Sequence, residues 1–151
     1  MLFFALEYRE AIDKITSDRN SDLRLFELSD QDWEIMAQLR DVLKILKDAT
    51  LFFSRATPNL AVVIPAMDHI DSVLSTQSVT TKFNPAIRAS LVLAKRTLNR
   101  YYSVTDWSDV YRIAMVLHPQ FKLEYFKRMK WPQAWIDTAL EITRTEYERK
   151  Y

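Results

Sequence analysis

The sequence predicts an all-α fold, a helical bundle of about six or seven helices with no sheet. Three observations carry this. Apolar residues recur at three- and four-residue steps along most of the chain. Serine, asparagine and proline stand at the starts of several such stretches in the order that begins helices. Glycine is absent from all 151 residues, which removes the residue that β-hairpin turns and phosphate-cradling loops use for positive φ. The length fits one domain, 1–151, and 48% hydrophobic residues can bury a sizeable core.

The first stretch, 1–17, alternates Leu2, Ala5, Leu6, Ala11, Ile12 and Ile15 with charged residues at helical intervals. It begins inside its pattern with no capping residue, so we expect it to continue upstream in a longer protein. The polar cluster 17–22 reads as a turn and leads to Leu23, Leu25, Phe26 and Leu28, a short packing segment. Ser29 with Asp32 matches a capping box, and Asp30, Asp32 and Glu34 suit the positive end of a helix dipole.

The stretch 33–74 reads as two amphipathic helices around which the others are added. In the first, Met36, Leu39, Leu43, Leu46 and Phe53 form the expected buried face, seconded by Ile35, Val42, Ala49 and Phe52. Thr57 and Pro58 form an expected cap with proline at the first helical position. Leu60, Val63, Met67, Ile70 and Leu74 follow as the second buried face, which Pro65 should kink or divide. The Ser- and Thr-rich segment 75–83 reads as a loop. Asn84 and Pro85 start another helix, with Ile87, Leu91, Ala94, Leu98 and Tyr101 facing inward. Thr105 and Asp106 are expected to open the next, with Val110, Ile113, Ala114 and Leu117 inward. Pro119 ends that pattern and permits a new start through Phe121 and Phe126. Pro132 precedes a last helix carrying Trp135, Ala139, Ile142 and Tyr147.

Composition excludes more than it indicates. There is no cysteine, so disulfides, thiolate metal sites and a cysteine nucleophile are ruled out. A net charge of +1 gives no global attraction to nucleic acid. The apolar runs are far shorter than the roughly 20 residues of a membrane span, so no membrane partner is expected. Asp68, His69 and Asp71 are the one close group of potential metal ligands; with no third ligand at a suitable spacing, a solvated helix face is the better reading. His118 reads as a residue joining two helices, and Trp33, Trp107, Trp131 and Trp135 as packing anchors rather than base-stacking platforms. The most distinctive charge pattern is 72–105, which holds no acid but Lys82, Arg88, Lys95, Arg96 and Arg100. On a helix the last four can share adjacent faces away from Leu91, Ala94 and Leu98, so these five are the candidate DNA-phosphate contacts.

Several blocks together resemble a known family. They are Met1 and Leu2 with Ala5-Leu6-Glu7-Tyr8-Arg9 and Ala11-Ile12-Asp13, then Trp33 with Leu43, Leu46, Thr50, Ser54 and Pro58, then Val63-Ile64-Pro65 and Tyr101-Tyr102. Ile113-Ala114 leads to Leu117-His118-Pro119-Gln120-Phe121-Lys122-Leu123, followed by Tyr125-Phe126 and Trp131. In order and spacing they resemble the hAT superfamily of transposases, in the branch abundant in fungal genomes. His118 and Gln120 stand where the wider superfamily has Asp and Arg.

The resemblance implies a parent protein with a ribonuclease H-like core, whose Asp, Asp, Glu triad is interrupted by a large helical insertion. This chain resembles that insertion. Its catalytic acids would then lie before Met1 and beyond Tyr151, so no residue here is catalytic and this chain alone is not an enzyme. It also implies no cofactor in this chain, Mg²⁺ or Mn²⁺ in the intact parent, and a nuclear location. The partners implied are DNA, the missing ribonuclease H-like core, and further copies in an oligomeric parent. A transposon-derived, non-catalytic helical protein-interaction module is the alternative reading.

Overall fold

A computed structural model describes residues 1–54 and 59–151. Eight α-helices occur among the described residues, with no strand: α1 Leu2–Glu7, α2 Arg9–Ser17, α3 Asp30–Phe53, α4 Val63–Val79, α5 Pro85–Thr105, α6 Val110–Leu117, α7 Lys122–Arg128 and α8 Gln133–Lys150. Short 3₁₀ turns at Arg24–Phe26 and Leu60–Val62 precede α3 and α4. The all-α expectation holds. The extra helix arises at Tyr8, whose backbone (φ −98°, ψ 20°) interrupts the first stretch without a proline. The Thr57 and Pro58 cap lies outside the described residues.

Local chemistry sets the helix ends. At the start of α3, Ser29 Oγ accepts from the Asp32 N–H at 3.2 Å while the Asp32 carboxylate accepts from the Ser29 N–H at 2.9 Å, the reciprocal box expected there. Those bonds from the Ser29 side chain and backbone hold the Asp32 carboxyl below its ordinary pKa. Asn84 Oδ1 caps α5 through the Ala86 N–H at 2.9 Å, with Pro85 at its first position. Pro65 falls in the first turn of α4, where its missing N–H breaks no helical bond, and the division comes just ahead of it at the 3₁₀ turn.

Two boundaries differ from expectation. The segment 75–79 is helix, not loop, and its hydroxyls bond back to carbonyls of the turn before instead of competing with the backbone bonds. Ser75 Oγ donates to Asp71 O at 2.7 Å and Thr76 Oγ1 to Ser72 O at 2.9 Å. Likewise Thr105 closes α5 rather than opening α6, its Oγ1 donating to Tyr102 O at 2.6 Å. Asp109 is the residue that precedes α6.

Helix α4 is shared by two buried clusters. One joins Ala61 and Ile64 to Met115, Tyr125, Phe126, Ile136 and Ala139 from α6, α7 and α8. The other joins Ile70 and Leu74 to Val42 of α3 and to Ile87 and Leu91 of α5. The most extensive packing is between α4 and α5, so the organising unit is this pair and not α3 with α4. It is antiparallel: Asp68 of α4 meets Tyr102 of α5, and Ser75 meets Lys95. Helix α3 packs on both, turned so that Ile35, Leu39, Val42 and Ala49 are inside while Leu43, Leu46 and Phe53 are exposed. Gln38 Oε1 accepts from the Asn84 N–H at 2.7 Å, fastening α3 to the α4–α5 turn.

At the N-terminal end Trp33 is buried, and its indole N–H donates to Asp13 Oδ1 at 2.9 Å. The Arg9 guanidinium lies over that ring at 5.4 Å and also pairs with Asp30, so α2 and α3 are joined by stacking and charge together.

A chain without glycine must place other residues in the left-handed region, and Asp22, Lys122 and Lys130 take it. Lys130 ends α7 in a Schellman arrangement: its N–H donates to Lys127 O at 3.0 Å, and the Trp131 N–H donates to Phe126 O at 3.0 Å. Phe126 and Trp131 rings pack at 4.8 Å over the turn. A lysine Cβ at positive φ costs roughly 1 kcal/mol that glycine avoids. We therefore expect Lys130→Gly to stabilise the protein by about 0.5–1 kcal/mol, raising the melting temperature by about 2–3 °C in a circular-dichroism melt. A fall in melting temperature would contradict this account of the turn.

Candidate nucleic-acid interface

Helix α5 carries four of the five candidate cations and no acid. The structure divides them. Arg96 and Arg100, one turn apart, are exposed on the side away from Leu91 and Leu98. Lys82, in the turn before α5, is exposed as well. Arg88 is half-buried, with its Nε enclosed and without a partner. Lys95 is half-buried on the side facing α4, where its ammonium meets Asp71 Oδ2 at 3.3 Å and also donates to Ser75 Oγ. The expectation that Lys95 joins Arg96 and Arg100 in one outward stripe is therefore corrected: α4 supplies Lys95 with a carboxylate, and its charge is already compensated.

The acids of α4 are likewise not a solvated face. Asp68 is half-buried and accepts two phenol hydroxyls, Tyr102 to Oδ1 at 2.8 Å and Tyr125 to Oδ2 at 2.7 Å. These charge-assisted bonds join α5 and α7 to α4. Burial, followed by the hydrogen bond and the negative charge of Asp68, pushes both phenols well above their ordinary pKa. Sequence reading missed this centre, although a signal was present: Asp68, Asp71 and Ser75 continue the helical face of Ile64 at steps of four, three and four.

The arrangement does not suit a divalent metal. Both oxygens of Asp68 are committed to tyrosines, and Asp71 is paired with Lys95. Among the described residues no group of three or more potential ligands is placed to hold a metal ion. His69 is exposed on the far side of α4. His118 closes α6 and stacks on Phe121 at 4.6 Å, its Nδ1 accepting from the Gln120 N–H at 3.3 Å, as a residue joining two helices should. No described helix is long and apolar enough to cross a membrane.

The tryptophans also divide. Trp33 is buried and Trp131 is half-buried against Phe126, whereas Trp135 is largely exposed and Trp107 is 85% exposed. The packing expectation thus fails at Trp107, which lies just beyond the end of α5.

No protein-family model matches the chain, and no solved structure matches it. The chain is 27% identical over 157 aligned residues to a protein of Talaromyces stipitatus named "Putative transcriptional regulator tpeD". That alignment covers 100% of this chain but 16% of the fungal protein, so the chain corresponds to a small part of its length. The fungal protein's name is not that of a transposase, and the likeness to hAT transposases stands on the motif residues alone.

Removing one phenol hydroxyl leaves a carboxylate oxygen of Asp68 without its donor. Tyr125→Phe should cost about 1–2 kcal/mol in urea unfolding at neutral pH. The pH dependence follows from the raised phenols. An unfolded chain releases these protons near pH 10, ahead of the folded one, so their contribution is complete below about pH 10 and is lost as pH rises above it. Wild-type stability should fall between about pH 10 and 12, and the Tyr102→Phe/Tyr125→Phe double variant should show a shallower fall. Equal slopes would contradict the assignment.

Proposed function

We propose that this chain is the helical insertion domain of a hAT-like DNA transposase, supporting a catalytic core and contacting DNA without a complete active site of its own. The observation that carries the DNA contact is an acid-free α5 with Arg96 and Arg100 outward and Lys82 at its approach. The ordered motif residues support the family reading. A relative named as a transcriptional regulator supports a role on DNA, in the nucleus of a fungal cell.

The second reading, a transposon-derived module that binds protein and not DNA, is favoured by a different feature. Phe3, Phe4, Leu25 and Phe26 are exposed near the N-terminal end. Exposed large apolar side chains of this kind, with Phe3 and Phe4 in contact with each other, are what a protein-interaction site offers.

A salt titration with a labelled duplex separates the two. Each neutralised phosphate contributes about 0.9 to the slope of log affinity against log salt. Lys82, Arg96 and Arg100 should give a slope near −2.7, and Arg96→Gln with Arg100→Gln should flatten it by about 1.8. Lys95→Gln should leave the slope nearly unchanged, because Asp71 already compensates that charge. The same preparation with Mg²⁺ or Mn²⁺ should leave the duplex uncut. No binding at low salt, or equal slopes for wild type and the double variant, would favour the second reading; metal-dependent cutting would contradict the first.

A further inference from the structure

The outer face of α5 carries more than charge. Leu93, Arg96, Arg100, Val104 and Trp107 succeed one another at steps of three, four, four and three, and each is exposed. Trp107 lies past the last residue of α5 but continues its path. Asp106 keeps helical angles (φ −70°, ψ −18°), and the Trp107 N–H donates to Val104 O at 3.2 Å. Beside this stripe Tyr101 is 57% exposed, with the Arg100 guanidinium 5.4 Å from its ring centroid.

We propose that this face binds single-stranded nucleic acid, with Arg96 and Arg100 on phosphates and Trp107 and Tyr101 stacking on unpaired bases. The inference rests on the nucleic-acid reading above and specifies the kind of strand. The partner must be anionic, because the helix has no acid and its two outward arginines have no carboxylate partner among the described residues. It must also offer flat apolar faces. The bases of a duplex are stacked on one another and turn only their edges outward, whereas unpaired bases present π-faces that any aromatic ring can cover. The rings of Trp107 and Tyr101 protrude from this face, which favours stacking on flat bases over docking of an acidic peptide. One acid lies close: Asp106, adjacent to Trp107 in sequence, is exposed and would oppose a phosphate there.

The test compares a labelled oligothymidylate with a duplex of equal length at matched ionic strength, using the full chain and polyglutamate as competitor. Expected are tighter binding of the single strand, quenched tryptophan emission, and about tenfold weaker single-strand binding for Trp107→Ala and for Tyr101→Ala. Duplex affinity should move less than about twofold, because groove edges offer these rings nothing to stack on. Trp107→Phe should retain most of the affinity, and Asp106→Asn should increase it. Both changes fall on exposed side chains, and an unchanged circular-dichroism spectrum verifies the fold of each variant. Equal affinity for both nucleic acids, unaffected by Trp107→Ala, overturns this inference while a steep salt slope on duplex leaves the proposed function standing. Binding of neither defeats both. Polyglutamate that competes as well as the oligonucleotide in wild type and is weakened by Trp107→Ala also overturns it, in favour of an acidic protein partner.

Discussion

The Asp68 carboxylate receives a hydroxyl from each of two distant tyrosines, and the arrangement of the helices follows from where that happens. Asp68 stands on α4 between Ile64, which belongs to one buried cluster, and Ile70, which belongs to the other. Tyr125 comes from α7 inside the first cluster, and Tyr102 comes from α5, whose Ile87 and Leu91 build the second. That half-buried charge therefore fastens to α4 the end of α5 that packs on the first core, while α5, like α4, runs on into the second. Hydrophobic contact is non-directional and would tolerate some rotation of α5 about its axis. Two short charge-assisted bonds would not. Asp71 with Lys95 and Ser75 repeats the arrangement one turn along, and together they fix which side of α5 faces outward.

That orientation links the interior to the surface. With Tyr102 held on Asp68 and Lys95 on Asp71, the helical period turns Arg96, Arg100 and Val104 away from α4. Rotating α5 by one residue would bring Tyr101 to Asp68 in place of Tyr102, but it would also put Ala94 in place of Lys95 and leave Asp71 without its ammonium. An apolar residue at 71 would fill space without selecting between these settings, since only Asp71 distinguishes Lys95 from Ala94. Buried polar groups are retained in some proteins for that kind of specificity rather than for net stability. At the starts of α3 and α5 the side chains of Ser29 and Asn84 define the boundary.

Much of the fold was legible in the sequence because helix periodicity and caps are local. Ser29 with Asp32, and Asn84 with Pro85, act within three residues of each other and were read correctly. The inward faces were less legible. In α3 apolar residues cover so wide an arc that Leu43 is expected on the buried face and Val42 only beside it, whereas the partner helices select Val42 and leave Leu43 exposed. In α6 Leu117 is 68% exposed and Met115 is fully buried, because α8 approaches from the side that Met115 occupies. The cation run 72–105 was visible as composition. What each cation does was not, since Lys95 finds its carboxylate 24 residues away and Asp68 finds Tyr125 57 residues away. Pairings at that separation are decided by packing, and periodicity carries no record of them.

The most direct test of the central claim is native-state hydrogen exchange on wild type beside Asp68→Ala. If Asp68 ties α5 and α7 to α4, the substitution should lower amide protection in Pro85–Thr105 and in Lys122–Arg128 together, with α2 and the start of α3 unchanged. Loss of protection confined to the neighbourhood of residue 68, with α5 and α7 as protected as in wild type, would contradict it.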